Sequence, residues 1–83
     1  MRVHIKYFAS IREAVGQGTE TLETSAATVG ALRNELLAKG AAHAEALART
    51  RAVRMALNQA MVDEGATLTD GAEVAFFPPV TGG

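Results

Sequence analysis

Arg2 to Phe8, RVHIKYF, alternates without a break: Val3, Ile5 and Tyr7 fall on one side, Arg2, His4, Lys6 and Phe8 on the other. A side-chain period of two belongs to a strand with one face in a core and the other open. Any fold built on it therefore contains a sheet covered on a single side. With 83 residues there is room for one domain, and a chain of that size buries only about 60–65% of its unfolded surface. The remaining elements must be short and economically connected.

Gly16–Gly18 (GQG) reads as a turn, and Thr19–Thr24 (TETLET) as a second strand folded back on the first. Thr28 is placed to cap a helix over Val29–Lys39, with Gly40 at the position where a glycine ends one. Val29, Leu32 and Leu36 give that helix one apolar stripe. Gly30 in its first turn weakens it by about 1 kcal/mol relative to alanine. Ala41–Thr50 reads either as a short helix or as a compact loop. Alternation returns in Ala52–Asn58, where Val53, Met55 and Leu57 oppose Arg54. A tight turn near Asn58-Gln59 leads to the short strand Ala60–Val62, and Asp70-Gly71 launches a last strand, Ala72–Phe77.

The order is strand, strand, helix, strand, short strand, strand. Short links make hairpins of strands one and two and of strands three and four, and the helix covers one face of a mixed sheet. That is an α+β chain of the β-grasp, or ubiquitin-like, kind, with about five strands and one main helix. The last strand is expected beside the first at the centre. Residues 1–77 form the domain, and residues 78–83 an extended, flexible tail.

Several chemistries are excluded. No cysteine is present, which removes disulfides, thiolate metal sites and a cysteine nucleophile. The N-terminal segment has no continuous apolar run, so it is neither a signal peptide nor a membrane span. A formal net charge of −1 argues against a nucleic-acid binder, and the expected location is the cytoplasm. His4 and His43 stand apart with no third ligand at a metal spacing, so they read as solvated and no metal is expected. Arg49, Arg51 and Arg54 read as a solvated basic cluster. Asp63, Glu64 and Glu73 have no nucleophile nearby and read as solubilising, with Glu73 also placed to touch a partner. Ser25 and Thr28 read as capping residues.

The tail, Pro78-Pro79-Val80-Thr81-Gly82-Gly83, carries the chemistry. The two prolines fix φ near −65° and push Phe77 toward an extended conformation. Six residues reach up to about 20 Å. Gly82 and Gly83 have no Cβ and fit a channel too narrow for side chains. Gly83 is expected to bear the terminal carboxylate. A carboxylate is a poor electrophile, so reaction there needs an outside activator, most simply ATP forming an acyl-adenylate. By strand parity Phe8 and Phe77 point away from the core, and Met61 joins them if Val62 points inward. Three large apolar groups on the open face make a docking patch.

YFASIREAVG, LNQAMV and LTDGAEVAFFPPVTGG together resemble the small, sulfur-carrying subunit of molybdopterin synthase, within the wider ubiquitin-like sulfur-carrier group. The resemblance runs from Met1 to Gly83 and is weakest over Thr19–Ser25 and Ala41–Thr50. It implies that an adenylating enzyme of the ubiquitin-activating type places AMP on Gly83. A sulfurtransferase relay then replaces AMP with sulfide, giving a thiocarboxylate. The tail would enter the large synthase subunit, in a heterotetramer of two small and two large subunits, and donate sulfur to cyclic pyranopterin monophosphate. The carrier would hold no cofactor and would not be an enzyme on its own; ATP belongs to the activating partner. The resemblance also supports Phe8, Met61 and Phe77 as partner contacts. The alternatives are a carrier for thiamine, cysteine or tRNA thiolation, a ubiquitin-like protein modifier, and a plain β-grasp interaction module.

Overall fold

The computed structural model describes residues 1–79. Along the chain these form β1 (Arg2–Tyr7), α1 (Ala9–Val15), β2 (Thr19–Glu23), α2 (Val29–Leu37), α3 (Ala41–Ala46), β3 (Arg54–Leu57), β4 (Ala60–Val62) and β5 (Glu73–Phe77). The sheet runs β2-β1-β5-β3-β4. β1 and β5 are parallel neighbours at its centre, and the other pairs are antiparallel. This is the β-grasp arrangement expected from the element order.

One side of the sheet is the core. Val3, Ile5 and Tyr7 of β1 and Val74 and Phe76 of β5 are buried, as are Val29, Leu32 and Leu36 of α2. Thr28 caps α2 as expected, its hydroxyl accepting from the Ala31 N–H at 3.1 Å. Asn58 and Gln59 both have positive φ, 50° and 71°, the geometry of a type I′ hairpin turn whose twist suits the flanking strands. Asn58 does more than turn the chain. Its N–H donates to the Glu73 carbonyl at 2.8 Å, and its Oδ1 accepts from the Glu73 N–H at 3.0 Å. The turn is thereby stitched to the start of β5.

Four expectations are corrected. The link between β1 and β2 is not a tight hairpin: it contains α1, and Gly16, φ 91°, closes that helix with its N–H on the Arg12 carbonyl at 2.9 Å. Gly40 does not end α2, which stops at Leu37; it stands extended before α3, which forms the first part of Ala41–Thr50. His43 is not solvated. Its Nε2 lies 2.8 Å from Glu20 Oε2, and both side chains are nearly buried. Lys39 reaches Glu20 at 2.7 Å, and the Tyr7 hydroxyl donates to it at 2.7 Å. Glu20 lies on the core side because it pairs with Ile5 across β1 and β2. Burial pushes its carboxyl up, but hydrogen bonds from Lys39, His43 and Tyr7 outweigh that and hold it at about 2. Burial and the same carboxylate push the Tyr7 phenol far up.

Glu64, the fourth correction, is structural rather than solubilising. It takes Arg33 Nη1 at 3.2 Å and Arg49 Nη2 at 2.6 Å. Arg33 is 4% exposed, and its Nε and Nη2 donate to the Leu47 and Ala48 carbonyls. Burial pulls the Arg33 guanidinium down while Glu64 counters it, and the hydrogen bond from Arg49 lowers Glu64. A buried guanidinium is tolerated only where its donors are paired in this way. The network ties α2 to the segment after α3 and to the turn after β4.

Candidate functional site

The side of the sheet away from the helices carries the candidate site, and strand register lays it out in rows. One row crosses all five strands: Thr19, Lys6, Ala75, Ala56 and Met61. Beside it Phe77 pairs with Arg54. Phe8 extends the β1 ladder by one residue, its N–H donating to the Phe76 carbonyl at 3.1 Å. The alanines keep the middle of this face low. The large side chains stand proud around it: Phe8 is 47% exposed and Met61 58%, while Phe77 is half-buried. The structure thus places all three predicted docking residues on one face. An apolar group of this kind, beside paired polar residues, suits a protein partner.

Backbone geometry holds Phe8 there. It is extended (φ −125°, ψ 153°) and stands as the N-cap of α1, so the strand direction persists through its Cα. Ala9 then turns the chain with φ 51°, a left-handed conformation that costs a non-glycine residue about 1 kcal/mol or more. That turn sends α1 to the core side and leaves the Phe8 ring on the other.

At the end of β5 successive residues face opposite sides of the sheet. Phe77 points to the open face, while Pro78 borders a hollow on the core side together with Ile11, Ala14, Ala46 and Val53. Pro78 and Pro79 are both partly buried. Beyond Pro78 the sequence has five more residues, at most about 17 Å of extended chain. Val80, Thr81, Gly82 and Gly83, assigned to the delivery tail from sequence, lie outside the described residues.

The polar part of the face is largely self-satisfied. Lys6 pairs with Glu73 at 3.1 Å, and His4 Nδ1 lies 3.2 Å from the Thr21 hydroxyl. The basic cluster expected at Arg49, Arg51 and Arg54 is dispersed: Arg49 binds Glu64, Arg51 pairs with Glu45 at 3.5 Å, and Arg54 alone joins the open face. The three are close along the chain, but β3 alternation turns Arg54 away from the face of Met55. Among the described residues no helix is long and apolar enough to cross a membrane, and no group of three or more His, Asp or Glu side chains is assembled for a metal.

Residues 5–83 match the ThiS family. The chain is 42% identical over 81 residues to the molybdopterin synthase sulfur carrier subunit of Escherichia coli (strain K12), covering 98% of this chain and 99% of that one. SAMP1, a small archaeal modifier protein of Haloferax volcanii, superposes with a TM-score of 0.79 at 28% identity over the whole of both chains. A chain in the complex of subunits 1 and 2 of molybdopterin-converting factor from Helicobacter pylori 26695 superposes with a TM-score of 0.69 at 27% identity, again over the whole of both chains.

Proposed function

The chain belongs to the ThiS family, and from that premise we propose that it is a sulfur carrier in molybdopterin synthesis, delivering sulfur from Gly83. The observation that carries the reading is the join between Phe77 and Pro78. An apolar docking face ends where a stiff spacer begins, and the spacer leaves from a central strand laddered to a neighbour on each side. A carrier needs that combination, because the partner must grip the body while a thin arm enters its site. The Helicobacter pylori neighbour, described as a complex of two subunits, supports a large synthase subunit as the partner.

In the proposed cycle the Gly83 carboxylate attacks the α-phosphorus of ATP on an adenylating enzyme, releasing pyrophosphate and leaving an acyl-adenylate. Sulfide equivalent from a sulfurtransferase relay attacks the acyl carbon and expels AMP, giving the thiocarboxylate. Inside the large subunit that sulfur passes to the cyclic pyranopterin, and water restores the carboxylate. Residues 78–83 serve as the arm, with Pro78 and Pro79 aiming it and Val80 to Gly83 threading the channel. The acid–base groups and the pterin pocket belong to the partner. Complexes of two carriers with two large subunits fit the same reading.

The test is the intact mass of the carrier after incubation with ATP, the adenylating enzyme and a sulfur source. The expected result is an oxygen-to-sulfur exchange confined to the last peptide, abolished when Gly83 is deleted and slowed by Gly82→Ala, which adds a Cβ and restricts φ. Sulfur found elsewhere, or full synthase activity without Gly83, overturns the proposal. A second reading, a protein modifier, draws on the likeness to SAMP1; lysine-linked adducts of Gly83 in place of the thiocarboxylate would favour it.

A further inference from the structure

Of the 8 lysines and arginines, six pair with a carboxylate: Arg2, Lys6, Arg33, Lys39, Arg49 and Arg51. Among the described residues Arg12 and Arg54 have no carboxylate within ion-pair distance. Arg12 lies with its side chain over Gly18, in the link between α1 and β2. Arg54 stands on it. β3 presents Arg54 directly opposite Phe77, and it borders the same shallow hollow as Met61. A partner surface that covers both Phe77 and Met61 therefore also covers Arg54. Taking an unpaired guanidinium out of water costs several kcal/mol, which would cancel much of what the apolar contacts contribute. Met, aromatic residues and Arg are also the types enriched in interface cores.

We infer that Arg54 reads a carboxylate on the large subunit of molybdopterin synthase, next to the pocket that receives Phe77. The inference rests on the sulfur-carrier reading and deepens it. The carboxylate satisfies the guanidinium when water leaves, and it fixes the rotational setting of the carrier. Phe8, Phe77 and Met61 supply non-directional adhesion, whereas a planar guanidinium on a carboxylate admits few orientations. Orientation matters here because the arm begins at the residue after Phe77, so a tilt at the docking face displaces the far end of the arm. Lys6 cannot take this part, since Glu73 already holds it.

The experiment measures binding of the carrier to its purified large subunit by calorimetry, at about 0.05 and about 0.5 M salt, for wild type, Arg54→Met, Arg54→Lys and Arg54→Glu. Arg54→Met keeps an apolar stem on an exposed strand position, so it tests the charge even if Arg54→Glu fails to fold. The expected result is binding weakened about tenfold in Arg54→Met and at least about a hundredfold in Arg54→Glu, with partial recovery in Arg54→Lys. The salt dependence of wild type should be reduced in Arg54→Met. Wild-type affinity and salt dependence in both Arg54→Met and Arg54→Glu overturn the inference and leave the carrier reading standing. A wild-type carrier that does not bind the large subunit at all removes both.

Discussion

Gly30→Ala separates two opposed effects on one residue. In an isolated helix the change stabilises by about 1 kcal/mol, because glycine has the larger backbone entropy to lose. The fold reverses that sign. A Cβ on residue 30 would lie 2.9 Å from both Cβ and Oε1 of Glu64 and 3.1 Å from its carbonyl oxygen. Comfortable carbon contacts begin near about 3.5 Å, so Glu64 must retreat by roughly half an ångström. It is poorly free to do so. Its carbonyl accepts the Gly30 N–H at 2.9 Å, and its carboxylate holds Arg33 and Arg49. Overpacking of this kind costs about 1–3 kcal/mol, and a strained hydrogen bond adds up to about 1. Against the propensity gain, the net is a loss centred on about 1.5 kcal/mol, or a melting temperature lower by about 6–12 °C for a domain of this size. Thermal unfolding followed by circular dichroism reads it directly. In a Glu64→Gly background, where the Cβ and carboxylate are gone, the penalty should shrink by at least about 0.5 kcal/mol. A melting temperature for Gly30→Ala equal to or above wild type would refute the close-contact argument.

Two further outcomes follow from the side chains on either face. Glu20 titrates at about 2 rather than 4.5, so its stabilising contribution is fully present above pH about 4.5 and is lost as pH falls through about 2; Glu20→Gln should be less stable at neutral pH by about 1–2 kcal/mol after solvent screening and flatter across that acid window in denaturant titrations. Phe77→Ala should weaken large-subunit binding about thirtyfold or more, the usual effect of truncating an aromatic anchor, with little change in melting temperature; a variant that unfolds yet binds normally when refolded would make Phe77 a core residue.

The sheet was legible because period-two alternation in β1, β3 and β5 states which side chains are buried without reference to anything distant. Phe8 and Phe77 follow from that parity, and Met61 from the turn at Asn58-Gln59. The first helix was not legible. Ile11 and Val15 are its only apolar pair, its N-cap Phe8 offers no side-chain acceptor, and Gly16 serves a helix end as readily as a hairpin. The charge networks were hidden for another reason. Glu20, Lys39 and His43 meet only because α2 and α3 pack across the β1–β2 edge, and Arg33, Arg49 and Glu64 only because α2 lies against the turn after β4. Ion pairs of that sort join residues 15 to 31 positions apart, and no local pattern announces them.

The two faces of the sheet follow opposite rules, and β5 connects them. On the helix side, polar groups are closed into networks, and no buried side-chain nitrogen or oxygen among the described residues lacks a partner. On the open side, Phe8 and Met61 are exposed to water, and among the described residues Arg54 has no carboxylate within ion-pair distance. β5 contributes Val74 and Phe76 to the first face and Ala75 and Phe77 to the second. It is laddered to β1 on one side and to β3 on the other, and Asn58 pins its start. A partner pressing on Phe77 therefore meets a strand that cannot slide without breaking two ladders. The position and direction of the chain at Pro78 are set by the fold before any partner arrives. Docking does not have to order the root of the arm, so less of its binding free energy is lost to entropy, and the reach that remains is directed from a fixed point.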